Sequence, residues 1–376
     1  MRDDLVFWLW LTQVRGVGAK TSKKLLEHYA TPRAVYDASA EELLTISGIG
    51  QKLAGAIREH RSLTTAEELL AKVAKHDAQV LTIWDTCYPL AVKNLPNAPI
   101  ILYYKGTLRQ ERGIAIIGAR RCTPYAKRVT SEAAHYLASN NIPVISGLAK
   151  GVDGYAHTAC LKAGGYTLAF LGHGVDTCYP TEHHDLMEAI IEHGAVISQF
   201  PPDTPPHRSN FPKRNHLMSA WAEKLLVVEA SPQSGALITT ESAKELGRPV
   251  YAVPGSIYSR ESMGANTLIL EGATPYLTPT QLVAISTSVQ PTFSTKARSL
   301  SSSTAGQPAP GSPQGNSPIE QEVLKIVGSS ALGVEELALR LGQLTFTNKK
   351  TLFETLTMMQ LDGKIKLLPG GFVSQA

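Results

Sequence analysis

Between residues 114 and 277 the chain alternates short apolar runs with stretches of helical pattern, and this alternation constrains the fold more than any other feature. The runs are almost wholly apolar, so each fits a strand that is buried on both faces. Strands of this kind separated by helices are typical of a doubly wound parallel sheet. We therefore predict an α/β fold with strands at 114–117, 143–146, 167–171, 195–198, 225–229 and 250–253.

The first of these strands leads into a basic loop. The segment GARRCTPYAKR follows it, with Gly118 just before Arg120 and Arg121 and with no acidic residue. A strand that ends in a glycine turn and opens a helix favours an anion, because free backbone N–H groups and the positive end of the helix dipole meet there. A solvated basic turn after a core strand would have the same sequence, so this loop alone leaves both interpretations open.

Loops with similar residues follow the other predicted strands. Ligands of parallel sheets bind at the carboxyl ends of the strands, so these loops are expected to lie at one edge. Their glycine, small hydroxyl and basic residues together favour a groove for a phosphate-bearing ligand over a set of unrelated turns. The segments are GLAKGVD at 147–153, GHGVD at 172–176, QFPP at 199–202, FPKRN at 211–215, ASPQSG at 230–235 and PG at 254–255, and Asp153 is placed to cap the helix after its loop.

Length and composition limit the class of protein. A chain of 376 residues is long for one core, so two or three domains are expected. A net charge of +4 permits a polyanionic partner without requiring one. The four cysteines lack CxxC spacing, which argues against a zinc site and a disulfide framework. With no cleavable signal and no apolar run long enough to span a bilayer, we expect a cytoplasmic protein with no membrane partner.

Residues 1–75 are predicted to be all helical and contain an internal repeat. The segments VRGVGAK at 14–20 and ISGIGQK at 46–52 each place an apolar residue between two glycines and lead into a helix. This repeat resembles the tandem helix-hairpin-helix fold, whose glycines let backbone N–H groups approach a DNA phosphate. Simple helix–helix turns of a structural or interaction module are favoured over DNA contact here, although DNA contact stays open.

The rest of the chain completes the predicted domain organisation. Residues 76–112 form a connector with strands at 80–83 and 100–104. Residues 285–317 are rich in Ser, Pro, Gly and Thr and cannot bury a core, so they are predicted to be a disordered linker. The predicted domains are a helical helix-hairpin-helix or SAM-like domain at 1–75, a Rossmann-like core at 76–284, the linker at 285–317, and a winged-helix domain at 318–376.

The winged-helix prediction depends on three helices and a hairpin. Helical patterns near 318–327, 334–341 and 347–361 precede a strand at 364–368, a glycine turn, and Phe372 and Val373. The third helix would be the recognition helix and begins near Asn348, Lys349 and Lys350. Winged helices bind either DNA or proteins, and these residues do not decide between the two.

Taken in order, the motifs of the core resemble those of the DNA-processing protein A family, also called Smf. They are GARRCTPY, SGLAKGVDGYAH, GHGVDTCYP, FPKRN, VVEASPQSGALIT and GRPVYAVPG, followed by GANTLILEGA. The resemblance implies a single-stranded DNA-binding protein of natural transformation that protects incoming strands and loads the RecA recombinase onto them. It also implies a homodimer formed through the sheet domain. The family's pocket carries over to Gly118, Arg120, Arg121, Ser146, Gly147, Gly151, Lys213, Arg214 and Asn215.

The chain departs from the family pattern at a few positions. Ala119 replaces the usual serine of the arginine loop, which puts one hydroxyl contact to phosphate in doubt. Gln199 stands where glutamate is common, and residues 216–218 differ from the usual continuation of the FPxRN segment. None of these changes removes a basic residue, so the predicted grip on phosphate is kept.

The physical interpretation agrees with the resemblance. Arginines on a glycine loop would hold the backbone of a strand without reading its sequence. Tyr125 and Phe211 are candidates to stack on a base, which is worth roughly 1–3 kcal/mol per base, although packing against Pro212 accounts equally well for Phe211. Ser234 and Gly235 open the helix after ASPQ and complete the predicted nucleic-acid-binding residues.

A nucleotide-processing N-glycosidase with a related Rossmann-like fold is the alternative. Glu229 ends a strand and Glu241 lies on the next helix, which suggests acid–base chemistry, but a helix cap and a solvated glutamate are the simpler account. Asp153 and His157, with His183 and His184, do not form a compact metal ligand set. The segment GHGVDT lacks the third glycine of a dinucleotide fingerprint. We therefore predict a protein that is not an enzyme and has no catalytic residue, metal or cofactor. A third interpretation, a transcription factor, rests on residues 318–376 alone.

Overall fold

The chain forms two compact units, Met1–Gln290 and Pro291–Ala376. The computed structural model describes residues 2–283, 318–327, 332–333, 336–337, 356, 359–360, 364–368 and 372–375. The predicted linker at 285–317 lies outside the described residues. The predicted division into four segments therefore stays a prediction.

Six helices form the N-terminal part of the first unit, which confirms the prediction for this segment. In each glycine hairpin the first glycine has a positive φ, 86° at Gly16 and 87° at Gly48. The second glycine, Gly18 or Gly50, is the N-cap of the following helix in an extended conformation. The sequence repeat is therefore also a repeat of backbone structure. The helices are α1 (Arg2–Gln13), α2 (Ala19–Tyr29), α3 (Pro32–Asp37), α4 (Ala40–Leu44), α5 (Gln51–Glu59) and α6 (Thr64–Lys75).

A nine-stranded sheet forms the centre of the first unit. Its seven C-terminal strands are parallel, in the spatial order β6-β5-β4-β3-β7-β8-β9, which confirms the predicted α/β fold with a Rossmann-like parallel sheet. The strands are β1 (Gln79–Thr82), β2 (Ile101–Gly106), β3 (Ile114–Ile117), β4 (Val144–Ser146), β5 (Thr167–Leu171), β6 (Ala195–Ser198), β7 (Lys224–Val227), β8 (Val250–Ala252) and β9 (Thr274–Pro275).

The connector between the helices and the core belongs to the same sheet. Strands β1 and β2 pair antiparallel, and β2 pairs antiparallel with β6. The sheet is therefore mixed at this edge, which the sequence pattern of the core did not indicate. Burial in β1 rises along the strand, from exposed Gln79 to buried Leu81 and Thr82.

Helices cover both faces of the parallel sheet. Ile114 and Ile116 of β3 pack with α8 and α9, whereas Ala115 and Ile117 face a second core that includes α11 and α12. This alternation follows from the period of two in a strand. No helix among the described residues is long and apolar enough to cross a membrane. The helices are α7 (Leu90–Lys93), α8 (Pro124–Ser139), α9 (Val152–Lys162), α10 (His184–His193), α11 (Asn210–Trp221), α12 (Gly235–Glu245), α13 (Arg260–Leu270) and α14 (Thr280–Val283).

The order of the strands creates a switch point beside β3. Strand β4 lies on one side of β3, and β7 lies on the other. The connections that follow β3 and β7 therefore lead away in opposite directions and leave a crevice at the carboxyl ends of these two strands. Ligands of open α/β sheets bind at such crevices.

In the second unit the described residues include the helix α15 (Pro318–Val327), further helical residues at 336–337, 356 and 359–360, and a small antiparallel sheet. Helix α15 and the strands β10 (Leu332–Gly333), β11 (Ile365–Leu368) and β12 (Phe372–Gln375) match the first predicted helix and the predicted hairpin. Val323, Ile365 and Val373 belong to one buried cluster. Most of the second and third predicted helices, with Asn348, Lys349 and Lys350, lies outside the described residues, so the winged helix stays a prediction.

Candidate nucleic-acid interface

A cavity of about 870 Å3 opens at the switch point between β3 and β7. This volume is near the upper end of the range for small-molecule sites, about 300–1,000 Å3. The walls come from the loops after β3, β4, β5, β6 and β7 and from residues of α9, α11, α12 and α13. The residues that line it include Gly118, Arg120, Arg121, Asp153, Tyr179, Arg208, Phe211, Arg214, Asn215, Ser231, Ser234, Gly235, Arg260 and Glu261.

The arginine loop, residues 118–123, lies against the loop that precedes α9. A Cβ on Gly118 would come within 2.7 Å of Val152 Cγ2, and a Cβ on Gly151 within 2.2 Å of the Ala119 carbonyl oxygen. Gly151 also has a φ of 75°, in the left-handed region that favours glycine. The Val152 N–H donates to the Ala119 oxygen at 3.2 Å. The two glycines therefore permit the contact that holds Arg120 and Arg121 at the cavity, where both side chains are exposed.

A buried glutamate holds the other end of the arginine loop. Glu229 follows β7 and is 3% exposed. One of its carboxylate oxygens accepts the Thr123 N–H and the other accepts the Thr123 hydroxyl, both at 2.9 Å. The Thr123 hydroxyl also accepts the Ala126 N–H and so caps α8. Glu229 therefore fixes the loop to the strand on the far side of the switch point, a role that the sequence did not reveal.

Arg214 is buried beneath the cavity and bonded within the protein. Its Nη1 donates to the carbonyl oxygens of Gly147 and Phe170, both at 2.5 Å, and its Nε donates to Asn215 Oδ1 at 2.8 Å. Burial lowers the pKa of Arg214 to about 10, so the guanidinium stays charged at neutral pH. A Cβ on Gly147 would lie 2.4 Å from Arg214 Nη1, which explains the glycine there. Arg214 thus joins the carboxyl ends of β4 and β5 to α11.

Asp153 has a different role from the predicted helix cap. The N-cap of α9 is Gly151, and Asp153 lies within the first turn. Its Oδ2 accepts the N–H groups of Gly147 and Ala149, at 3.2 and 3.4 Å, and so holds the preceding loop. The capping prediction is therefore wrong, because the carboxylate turns back toward β4. Burial raises the pKa of Asp153, and the nearby Arg214 charge opposes this rise.

The structure separates the two aromatic residues predicted to stack on bases. Phe211 lines the cavity, with the guanidinium carbons of Arg120 and Arg214 at 6.0 and 5.7 Å from its ring centroid. Tyr125 does not line the cavity, and its hydroxyl donates to the Pro254 oxygen at 3.1 Å. Tyr179 lines it instead, 45% exposed, with its ring centroid 6.0 Å from that of Phe211.

The remaining predicted residues fall into two groups. Asn215, Ser234 and Gly235 line the cavity, and the Ser234 hydroxyl caps α12 by accepting the Ala236 N–H. Ser146 is fully buried and donates to the Ile116 oxygen at 2.6 Å, so it supports the sheet beneath the site. Lys213 is exposed on α11 and is not among the residues that line the cavity. The structure thus brings most, but not all, of the predicted site together.

Two arginines of the cavity were missing from the predicted site. Arg208 and Arg260 are exposed and line it. Arg208 precedes the FPKRN segment, and Arg260 follows the carboxyl end of β8, so the positions of both arginines in loops after strands are the sequence signal that indicates them. In total five arginines and two acids, Asp153 and Glu261, line the cavity, which gives it a positive charge.

The candidate metal ligands do not come together in the described part of the chain. His157 is fully buried, and its Nδ1 lies 2.7 Å from the Thr167 hydroxyl oxygen. Burial lowers the pKa of His157 to about 3. Within the described residues the one group of His, Cys, Asp or Glu with metal-like spacing is His76, Asp176 and Asp203, and the Lys72 amine lies 3.0 Å from Asp203. His76, Asp176 and Asp203 do not line the cavity.

Comparisons with known proteins agree with the motifs. The family model described as DNA recombination-mediator protein A matches residues 79–286, and that of the SAM-like helix-hairpin-helix tandem matches residues 10–62. Protein Smf of Synechocystis sp. is 34% identical over 288 residues, which are 75% of this chain and 72% of the relative. DNA processing protein DprA of Streptococcus pneumoniae is 38% identical over 51% of this chain and 68% of its own length.

Solved structures show the same similarity. The X-ray structure of DNA processing protein A from Streptococcus pneumoniae is 29% identical, with a TM-score of 0.65, and covers 74% of this chain and 96% of that one. A structure of DNA processing protein A from Helicobacter pylori, which concerns a single-stranded DNA binding mode, is also 29% identical. Its TM-score is 0.50, and it covers 55% of this chain and 94% of that one.

Proposed function

Because the chain belongs to the DNA recombination-mediator protein A family, we propose that it binds single-stranded DNA in the cavity at the switch point. One observation carries the proposal: Arg120 and Arg121 are exposed at the cavity on a loop that glycines and Glu229 hold in place. Among the described residues neither arginine forms an ion pair, so both guanidinium groups are available to phosphate. The binding mode of the Helicobacter pylori relative supports the same ligand.

The side chains of the cavity suggest how a strand is held. Arg120 and Arg121 contact phosphate oxygens, which carry no sequence information. Tyr179 and Phe211 offer aromatic surface to an unpaired base, and such stacking is worth roughly 1–3 kcal/mol per base. A duplex keeps its bases stacked on each other, so this arrangement favours a single strand of any sequence.

The proposal extends from DNA binding to a role in DNA uptake and recombination. We infer that it acts in DNA uptake by natural transformation, where it protects the incoming strand and loads the RecA recombinase. The family description as a recombination mediator supports this role. Adding the protein to single-stranded DNA that is already covered by a single-strand-binding protein should shorten the lag of RecA ATP hydrolysis. An unchanged lag would contradict the loading role and leave DNA binding untouched.

A homodimer through the sheet domain is proposed from an apolar surface at one edge of the sheet. Five of the eleven large hydrophobic side chains that are exposed among the described residues lie between residues 257 and 277: Ile257, Tyr258, Met263, Leu270 and Leu277. Met263 and Leu270 are two turns apart on α13 and so share a helix face. Leu270→Glu should convert a dimer to a monomer in analytical ultracentrifugation, whereas Leu90→Glu, exposed elsewhere, should not.

A non-enzymatic role agrees with the placement of the two candidate acids. Both carboxylate oxygens of Glu229 are bonded to Thr123, and Glu241 is exposed on α12. An N-glycosidase would need an acid that reaches the sugar of a bound nucleotide. Incubation with deoxynucleoside monophosphates should release no free base, and released base would favour the enzyme.

Titration of labelled oligo-dT tests the binding proposal directly. Replacing both Arg120 and Arg121 by alanine should weaken binding strongly and reduce its dependence on salt, because each lost phosphate contact lowers the slope of log K against log salt by about 0.7. Arg109→Ala is the matched control, since Arg109 is exposed and lies over Tyr166, at the other end of the strands. Wild-type binding by the double variant would contradict the assignment of the site.

A further inference from the structure

We propose that a groove between α8 and α9 is a docking site for an acidic peptide segment of a partner protein, one that carries large apolar side chains among its carboxylates. The groove lies outside the cavity at the switch point, so this site is additional to the proposed DNA binding. Its volume is about 500 Å3, within the range of about 300–1,000 Å3 for ligand sites. Its lining includes Lys127, Ser131 and His135 of α8 and Tyr155, Ala159 and Lys162 of α9.

The α8–α9 groove follows from the spacing of these residues along two adjacent helices. On each helix they are three or four positions apart, so they form one row on one face. Ser131 is the middle residue of the row on α8, between the longer side chains of Lys127 and His135. Ala159 holds the corresponding place on α9. Two small residues thus face the same space, and the longer side chains on either side of them enclose it.

The floor of the α8–α9 groove is mostly apolar. The Ser131 hydroxyl donates to the Lys127 carbonyl oxygen at 2.9 Å, so this polar group is satisfied within its own helix. Tyr155 and Ala159 are both partly exposed and offer a ring and a methyl group. The Lys127 amine lies 4.8 Å from the centroid of the Tyr155 ring and covers one of its faces. A base needs an open ring face to stack on, whereas an apolar side chain does not, so the floor favours a peptide.

The rim of the α8–α9 groove is basic. Lys127 and Lys162 are exposed, and neither forms an ion pair in the part of the chain that the structure describes. The one acid of the groove, Glu132, accepts Arg128 Nε at 2.8 Å, so its charge is balanced within α8. Positive charge over an apolar floor is complementary to a segment in which carboxylates flank an apolar side chain.

A neighbouring cavity of about 490 Å3 connects the α8–α9 groove to the arginine loop. Its lining shares Tyr155 and Thr158 with the groove, and Arg120 and Arg121 with the cavity at the switch point. A partner docked in the groove would therefore lie beside a strand held by the arginine loop. Peptide docking itself needs no bound strand, so it can be measured without DNA.

Fluorescence anisotropy with two labelled peptides on the full chain tests the site. One peptide contains four aspartates and two phenylalanines, and the other has serines in place of the phenylalanines. The phenylalanine peptide should bind more tightly, because only its side chains fill the apolar floor. Lys127→Ala with Lys162→Ala should weaken its binding roughly 2- to 30-fold at low salt, since two exposed charge pairs are lost. Lys20→Ala with Lys52→Ala is the matched control, because both lysines are exposed on α2 and α5, outside the groove.

Ser131→Leu tests the shape of the groove without changing its charge. The larger side chain fills the space between the two rows, so the preference for the phenylalanine peptide over the serine peptide should disappear. Leucine favours helix more than serine does, so α8 is expected to be kept, and thermal melting checks that each variant is folded.

Four outcomes would overturn the docking site, and all of them leave the proposed DNA binding standing. The first is that the phenylalanine peptide does not bind the wild type, or binds no better than the serine peptide. The second is that Arg120→Ala with Arg121→Ala abolishes peptide binding and Ser131→Leu does not, which would place the peptide in the cavity at the switch point. The third is that no peptide binds and Ser131→Leu dissociates a dimer in analytical ultracentrifugation, which would assign the groove to a second copy of the chain. The fourth is that no peptide binds and Lys127→Ala with Lys162→Ala weakens the binding of oligo-dT, which would assign the groove to the strand.

Discussion

Replacing Glu229 by glutamine should weaken the binding of single-stranded DNA, although it removes a negative charge from beneath a site for a polyanion. Two explanations of Glu229, charge repulsion and positioning of the arginine loop, predict opposite effects of this change on DNA affinity. If its charge mattered only through repulsion of phosphate, Glu229→Gln would tighten binding. If the carboxylate positions the arginine loop through its two bonds to Thr123, the same change would loosen the loop and weaken binding.

The size of the effect follows from the two hydrogen bonds. A bond to a charged group contributes roughly 1.5–3 kcal/mol and a neutral one roughly 0.5–1.5, so the loss is about 1 kcal/mol per bond and about 2 kcal/mol in total. The apparent dissociation constant for DNA rises as the fraction of molecules with a correctly placed arginine loop falls. A loss of about 2 kcal/mol therefore raises this constant by at most about 30-fold. The buried position of Glu229, 3% exposed, keeps water from replacing these bonds.

Fluorescence anisotropy with labelled oligo-dT measures this effect, and Glu261→Gln is the matched control. Glu261 is an exposed carboxylate that lines the same cavity and does not contact the arginine loop. The control should tighten binding at low salt, as expected from charge alone. Equal tightening by Glu229→Gln and Glu261→Gln would refute the positioning role.

Three further changes test other contacts. Gly151→Ala should weaken DNA binding and lower the melting temperature, because the new Cβ meets the Ala119 oxygen at 2.2 Å with φ at 75°; an unchanged Kd would contradict the contact between the loops. Tyr179→Ala should weaken binding by roughly 1–3 kcal/mol and Tyr125→Ala should not, and the reverse in a titration would move the stacking surface to α8. His157 has a pKa of about 3 in the folded protein, so the unfolded chain binds its proton first and stability falls by about 1.4 kcal/mol per pH unit below pH 6.5. Urea denaturation between pH 7 and 5 should show this loss in the wild type and less of it in His157→Gln, and equal slopes would contradict a neutral His157.

The sequence predicted those parts of the fold that depend on local pattern. Apolar runs such as residues 114–117, alternating with helical patterns, indicate strands buried on both faces, and the parallel order then places the arginine loop and Ser234 at one edge. The hairpin of β1 and β2 was harder to assign to the sheet, because its pairing with β6 joins segments that are distant along the chain.

The site was predicted less completely, because the type of a residue does not reveal where its side chain points. Arg214 belongs to a basic motif, yet its guanidinium turns inward to two carbonyl oxygens. Tyr125 was chosen for its position in the loop motif, but α8 directs its hydroxyl toward Pro254. The bond between Glu229 and Thr123 joins residues 106 positions apart, so no local pattern could indicate it.

The central position of β3 also determines when during synthesis the site is completed. Its neighbour β7 and the anchoring Glu229 lie more than a hundred residues downstream. A nascent chain released only as far as β6 already carries Arg120 and Arg121 but not the strand and carboxylate that hold their loop. The site can therefore bind DNA only late in translation. A fragment that ends before residue 224 would keep these arginines but would lack the strand and the carboxylate that hold their loop.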